Sequence, residues 1–73
     1  MSTYDTLENI ILHGVNMCQI NGHSFIDIYR VADESKVNDG WDRFVVSKCH
    51  LSFSEYKYVG FVRANGEFVG NAT

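Results

Sequence analysis

Two Asn-Gly pairs constrain the fold of this chain more than any other feature of its sequence. They are Asn21-Gly22 and Asn65-Gly66, in a chain of 73 residues that contains no proline. An Asn-Gly pair favours the left-handed backbone of a two-residue β-hairpin turn, and it can also end a helix as a left-handed C-cap. Each pair that forms a hairpin adds two strands, so the two pairs decide how large the sheet is.

The second pair predicts a hairpin between residues 56–64 and 67–71, which are rich in β-branched and aromatic side chains. With a two-residue turn at Asn65-Gly66, its register places Val59, Phe61 and Phe68 on one face, and Val62 and Val69 on the other. A hairpin that is apolar on both faces should be covered on both sides, by a helix on one and by a partner on the other.

The N-terminal segment predicts a helix over residues 5–12. Asp5-Thr6-Leu7-Glu8 has the form of a capping box, in which the first residue caps the helix and the acid three residues later reaches back. Apolar residues then follow at helical spacing, and they are Leu7, Ile10 and Ile11.

The first Asn-Gly pair allows two structures for residues 15–20. In one, the helix continues to Asn21-Gly22, which caps it. In the other, the helix stops near Gly14 and residues 15–20 pair with the next strand. The hairpin register gives a cleanly apolar face, formed by Val15, Met17, Ile26 and Ile28. We favour the hairpin, with the long helix as the close alternative.

Further strands are predicted over residues 24–31 and 41–51, separated by a polar loop over residues 32–40. The predicted fold is α+β in one small domain over residues 1–73. A short N-terminal helix packs on a four- or five-stranded antiparallel sheet, connected as a meander of hairpins.

The net charge of −3 is unevenly distributed along the chain. Residues 1–29 hold three acids and no Lys or Arg (0 − 3 = −3), and residues 30–73 hold six of each sign (6 − 6 = 0). Proteins dedicated to nucleic acid bind largely through basic contacts to phosphate, so this balance disfavours that class. It favours an acidic surface that meets a basic surface of a partner.

The start of the chain predicts a cytoplasmic protein without a membrane partner. Residues 1–6 carry no Lys or Arg, and no apolar run approaches the roughly 20 residues that cross a bilayer. In a reducing compartment, two cysteines are most simply core residues.

Catalysis and metal binding are disfavoured. Four zinc-type ligands are present, Cys18, His23, Cys49 and His50, but Cys49 and His50 are adjacent, and adjacent strand residues point to opposite faces. No signature of a catalytic cysteine and no phosphate-binding glycine motif is present. We expect no catalytic residues, no metal and no cofactor.

Partner binding is predicted around the loop before the single tryptophan. The loop holds Asp33, Glu34 and Asp39, and it is flanked by Tyr29 and Trp41. Aromatic anchors beside a polar loop are typical of a binding hot spot. The alternative is that Trp41 is the largest core residue and the loop is a solvated turn.

A nucleic-acid interface is the second functional prediction. Tyr56, Lys57, Tyr58 and Arg63 make a basic and aromatic strand, on which bases can stack if the rings are exposed. Within it, Gly60-Phe61-Val62 is similar over three residues to the aromatic strand of RNA-recognition motifs.

In size and composition the chain resembles the small proteins that bacteriophages use against host machinery, including anti-CRISPR proteins. The resemblance rests on no shared motif. It implies a non-catalytic inhibitor that occupies a surface of a larger protein or nucleoprotein complex in the host cytoplasm. A free strand edge or an apolar second face would also allow a homodimer.

Overall fold

One long helix lies across one face of a four-stranded antiparallel sheet in the computed structural model of this chain, which describes residues 6–49, 51 and 54–70. The helices are α1 (Leu7–Asn21) and α2 (Glu34–Asn38), and the strands are β1 (Phe25–Val31), β2 (Phe44–Ser47), β3 (Tyr56–Arg63) and β4 (Phe68–Gly70). The predicted α+β class, with an N-terminal helix on an antiparallel sheet, is confirmed.

Helix α1 continues to the first Asn-Gly pair, so the hairpin that we favoured there is wrong. The helix cap that we expected at Asp5 is wrong by one residue: the Thr6 side chain caps the helix start by accepting a hydrogen bond from the Asn9 amide at 3.2 Å. Gly22 ends the helix in the left-handed conformation, with φ of 70°. Local sequence permits both structures, but only the helix buries Gly14 and Cys18 against the sheet.

Gly14 sets how closely α1 approaches the sheet. A Cβ atom at this position would lie 2.6 Å from Cγ1 of Val62 and 3.3 Å from Cγ2 of Ile26. The core forms along this contact between the helix and strands β1 and β3. Its buried members are Ile10, Cys18, Ile26, Ile28 and Val62.

Strand β1 occupies the interior of the sheet, whose order is β2-β1-β3-β4. Strands β2 and β3 therefore lie on opposite sides of β1, and the connection between them is not a hairpin. The strand predicted over residues 41–51 is regular only over Phe44–Ser47. The loop predicted over residues 32–40 contains α2, because the Asp33 side chain caps a helical turn there.

The second Asn-Gly pair forms the predicted hairpin, but the register that we expected is wrong by one residue. Val62 pairs with Phe68, and Phe61 pairs with Val69. The turn spans residues 64–66, with Gly66 at φ of 95°, rather than the two residues Asn65-Gly66. A three-residue turn of this kind ends in a left-handed glycine, which moves the register by one.

A β-bulge in β3 changes which side chains reach each face. Ile28 pairs with Gly60 and Tyr29 pairs with Tyr58, so Val59 is the extra residue. Val59 packs against the core under α1. The bulge therefore keeps Tyr56 and Tyr58 on the face opposite α1, where strict alternation from Phe61 would not have placed them.

Candidate binding surface

The side of the sheet opposite α1 carries most of the aromatic side chains of the described strands. Alternation along each strand and the bulge at Val59 define this surface, which we call the aromatic face. Its members are Phe25, Asp27, Tyr29 and Val31 of β1, Val45 and Ser47 of β2, Tyr56, Tyr58, Phe61 and Arg63 of β3, and Val69 of β4.

The middle of the aromatic face is a rigid tyrosine pair. Tyr29 is fully buried, and its ring meets Tyr58 edge-on at 5.5 Å between centroids. The Tyr58 hydroxyl donates a hydrogen bond to the Asp27 carboxylate at 3.4 Å. Burial, followed by the negative charge of Asp27, raises the pKa of Tyr58. Tyr29 was predicted as a partner contact, but at 0% exposure it supports Tyr58 from below instead.

One end of the aromatic face exposes apolar groups to solvent. Phe25 is 43% exposed and Val69 is 38% exposed. The Phe25 ring meets the half-buried Phe61 ring edge-on at 5.7 Å. Two cations lie over these rings: the Lys48 ammonium is 4.3 Å from the Phe25 centroid, and the Arg63 guanidinium is 5.7 Å from the Phe61 centroid. This end is therefore an apolar patch bordered by two basic side chains, of which Arg63 is paired with Glu67.

The single tryptophan lies beside the other end of the aromatic face, next to Tyr56. Trp41 is half-buried and stacks on Tyr56, with centroids 6.1 Å apart and ring planes at 26°. The Lys36 ammonium lies 4.5 Å from the indole centroid, and the Trp41 amide donates to the Lys36 carbonyl at 3.0 Å. Trp41 is thus a surface residue held in place by α2, and it is not the largest core residue.

An open groove of about 310 Å³ lies beside this stacked pair. Val45 lines it together with the two rings, and Asp42 lines it as well. Gly40 completes the lining. The lining of the groove is therefore mixed, with polar and apolar surface in similar amounts.

The acids of the predicted partner loop have structural roles within the chain. Asp33 accepts hydrogen bonds from the Ser35 hydroxyl at 2.8 Å and the Ser35 amide at 3.0 Å, and these bonds lower the pKa of Asp33. Asp39 is exposed and ends α2. Two of the three predicted acids, Asp33 and Glu34, are thus already hydrogen-bonded within the chain.

Glu34 links α2 to both neighbouring strand segments. Its carboxylate pairs with Arg30 at 2.6 Å and with Arg43. The hydrogen bond from Arg30 is the main cause that lowers the pKa of Glu34. This three-residue bridge links α2, and with it Trp41, to β1 and to the residue just before β2.

The residues predicted to bind nucleic acid do not all share one surface. Tyr56, Tyr58 and Arg63 belong to the aromatic face, whereas Lys57 pairs with Arg30 and lies on the other side. The Arg63 guanidinium is 3.1 Å from the Glu67 carboxylate. The aromatic face therefore collects three of the four predicted residues.

The predicted zinc-type ligands do not converge. Cys18 is buried in the core, where burial raises the pKa of its thiol, and Cys49 is exposed, although we expected both cysteines to be core residues. Both are free thiols. Among residues 6–49, 51 and 54–70, no three His, Cys, Asp or Glu side chains are grouped to hold a metal ion. His50 lies outside the described residues.

Sequence reasoning missed Phe25 as a member of the aromatic face and Lys48 as the cation over its ring. Phe61 and Val69 had a signal, because the last hairpin is apolar on both faces. No local sequence pattern marks Phe25, because Phe25 comes to lie beside Phe61 only through the pairing of β1 with β3.

No known protein family, curated protein or solved structure matches this chain. Neither helix in the part of the chain that the structure describes has the length and apolar character needed to cross a membrane. The aromatic face and the groove beside Trp41 are the features from which a function can be inferred.

Proposed function

We propose that this chain is a non-catalytic binding module that occupies a surface of a larger protein through its aromatic face. The observation that carries the proposal is the apolar patch opposite α1, where Phe25 and Val69 are 43% and 38% exposed beside the half-buried Phe61. Centres of protein interfaces are enriched in aromatic residues and arginine, as this patch is.

The rigidity of the surface also supports this proposal. Phe25 is held between the Phe61 ring and the Lys48 side chain, whose ammonium also donates to the Phe25 carbonyl at 3.0 Å. A side chain that is already ordered loses little conformational entropy on binding. The patch can therefore bind without a large ordering cost.

The experiment compares partner capture by two variants from the cell that naturally contains this protein. Phe25→Ser with Val69→Thr removes the apolar patch. Leu12→Ser with Ile20→Thr is the matched control, because these side chains are 63% and 69% exposed on α1. Truncation of an interface residue that matters costs about 1–2 kcal/mol, so the first variant, with two such residues, should weaken binding by roughly 30-fold to 1,000-fold.

The control decides which surface acts. Retained binding by the α1 variant together with loss by the patch variant is the expected result. The reverse pattern would move the binding surface to the outer side of α1 and end this proposal.

The inhibitor form of the proposal assigns the chain to the phage proteins that block host defence, as anti-CRISPR proteins do. Its small size supports this class, and its net charge of −3 favours contact with a basic surface outside the patch, since Lys48 borders the patch itself. The test is plaque formation on cells with an active CRISPR system, with and without expression of this chain. We expect more plaques with expression, and an unchanged number would remove this class while leaving the binding module.

Single-stranded nucleic-acid binding is the second candidate function. It is favoured by the shared position of Tyr56, Tyr58 and Arg63 on the aromatic face, where bases could stack. A mobility-shift experiment with short single-stranded oligonucleotides at low salt tests it. This function predicts a shift that weakens as salt rises, and no shift at low salt would exclude it.

A further inference from the structure

The free edge of β4 presents backbone groups that do not bond to the rest of the sheet. The Arg63 amide donates to the Glu67 carbonyl at 2.8 Å, so Glu67 and, two residues further on, Val69 bond to β3. Phe68 and Gly70 therefore direct their N–H and C=O groups away from β3. In the described part of the chain, no other backbone group bonds to them. This edge can therefore accept one more strand.

We infer that β4 pairs edge to edge with β4 of a second copy of this chain. Under a two-fold axis at Val69, Phe68 lies opposite Gly70 of the second copy, and Gly70 lies opposite Phe68 of that copy. Both outward residues of each copy then form hydrogen-bonded pairs, with every donor opposite an acceptor. No other two-fold position within β4 satisfies both residues, so the edge is complementary to itself in one register.

The side chains of β4 fit this register on both faces of the sheet. On the side of α1, the half-buried Phe68 faces a glycine, and an aromatic ring opposite a glycine covers the backbone that the glycine leaves open. On the aromatic face, Val69 is 38% exposed and meets Val69 of the second copy. The pairing therefore covers apolar surface that a single chain leaves exposed.

The sequence of β4 does not protect its edge from pairing. Natural edge strands often avoid pairing through a lysine, a proline or a bulge. β4 reads Phe-Val-Gly and has none of these, and Glu67, the acid before it, is paired with Arg63 at 3.1 Å. Edge pairing keeps both aromatic faces on the same side, so the apolar patches of the two copies join at Val69 into one surface.

Cysteine cross-linking tests the register, in a Cys49→Ser background that removes the exposed native thiol. Val69→Cys places one thiol of each copy at a non-hydrogen-bonded pair, where the Cα atoms are about 4.5 Å apart, within the span of a disulfide. Diamide oxidises the two thiols to that disulfide. Cross-linking should be about 10-fold faster than in the control Leu12→Cys, which is 63% exposed on α1.

Phe25→Cys in the same background separates edge pairing from stacking of the two apolar patches on each other. Edge pairing keeps the two Phe25 positions about 24 Å apart, which is five strand spacings of about 4.8 Å. This variant should therefore cross-link as slowly as Leu12→Cys. Stacking would bring the two positions together, so cross-linking of Phe25→Cys as fast as that of Val69→Cys would overturn the inference.

The native protein gives a second measurement that needs no variant to fold. The contact is small, so we expect a Kd of roughly 0.1–1 mM. Dilution of the isotope-labelled protein from about 2 mM to about 20 µM should move the amide resonances of Phe68 and Gly70. Phe44 and Val46, whose amides point outward at the β2 edge, are the controls and should not move.

Two results of this dilution overturn the inference. Amide resonances of Phe68 and Gly70 that are independent of concentration would show that β4 does not pair with a second copy. A larger change at Phe44 and Val46 would assign the contact to the β2 edge instead. Neither result affects capture of a partner protein through the aromatic face, which is tested separately.

Discussion

At the scale of single residues, two glycines carry geometric constraints that no other residue can meet. Gly60 lies at the bulge in β3, where a Cβ atom would be 2.3 Å from the carbonyl oxygen of Val69. Gly14 meets the sheet from the helix side, where a Cβ atom would be 2.6 Å from Val62. The first obstacle is backbone and the second is a side chain, so the consequences differ.

Gly60→Ala should lower the free energy of unfolding by about 2 kcal/mol or more, because β4 must move away from β3. Gly70→Ala is the matched control on the facing strand, since its Cβ would meet only the Phe68 ring at 3.5 Å. We expect the control to change stability by less than about 1 kcal/mol. Urea denaturation measures both, and equal losses would show that the close approach is not what matters.

At the scale of elements, helix–sheet packing and the α2 bridge are the two contacts that position the surface. Helix α1 rests on Val62 through Gly14, and α2 is held by the Glu34 bridge. Each contact leads to a prediction that does not follow from the sequence of the helix alone.

Gly14→Ala should destabilise the protein even though alanine favours the helix by about 1 kcal/mol. The clash with Val62 should cost about 1–3 kcal/mol, which is as large as the gain in helix propensity or larger. Combining it with Val62→Ala removes the methyl group that clashes. The double variant should therefore lose about 1 kcal/mol less than the sum of the two single losses. If the losses in the free energy of unfolding, measured by urea denaturation, are additive, then Gly14 and Val62 are not coupled as this contact requires.

Acid should loosen α2 and change the environment of Trp41. The pKa values of Asp33 and Glu34 are lowered in the folded protein, by hydrogen bonds from Ser35 and Arg30 respectively. Their stabilising effect is therefore complete above the unfolded values, about 4. It is lost as pH falls through the lowered folded values.

Trp41 fluorescence between about pH 5 and 2 measures this loss. Glu34→Gln should shift the signal toward its acid value already at neutral pH and reduce the acid transition. Glu67→Gln, which removes the carboxylate paired with Arg63, is the control and should keep the transition. Identical transitions in all three proteins would show that the α2 bridge does not control Trp41.

At the scale of the whole molecule, the sheet has two faces and α1 covers only one of them. Helix α1 covers the face with Ile26, Ile28 and Val62, and the apolar patch on the other face stays open to solvent. A sheet with one open apolar face tends to associate.

The chain should therefore self-associate at high concentration when its partner is absent, and a homodimer is the expected species. Val69→Lys places a charge on the patch and should weaken this association. Leu12→Lys, on α1, should not. Analytical ultracentrifugation over a range of concentrations measures it. A monomer at every concentration would remove this prediction without affecting partner capture.

Much of the architecture is predictable from the sequence alone. Runs of β-branched residues mark strands β1 and β3. A left-handed turn marks the hairpin at Asn65-Gly66, and a capping side chain marks the start of α1. The candidate site was predictable only in part. Trp41 does lie on the surface, but Asp33 and Glu34 serve α2, and Tyr29 is buried.

Only the tertiary structure decided between alternatives that the local sequence allows equally. Residues 15–20 satisfy a strand and a helix equally well, and burial of Gly14 and Cys18 against β1 and β3 selects the helix. The bulge at Val59 then determines that Tyr58 lies over Tyr29. Neighbours along the chain determine turns and caps, whereas burial depends on residues far apart in sequence. For this reason the aromatic face follows from the fold and not from any one segment.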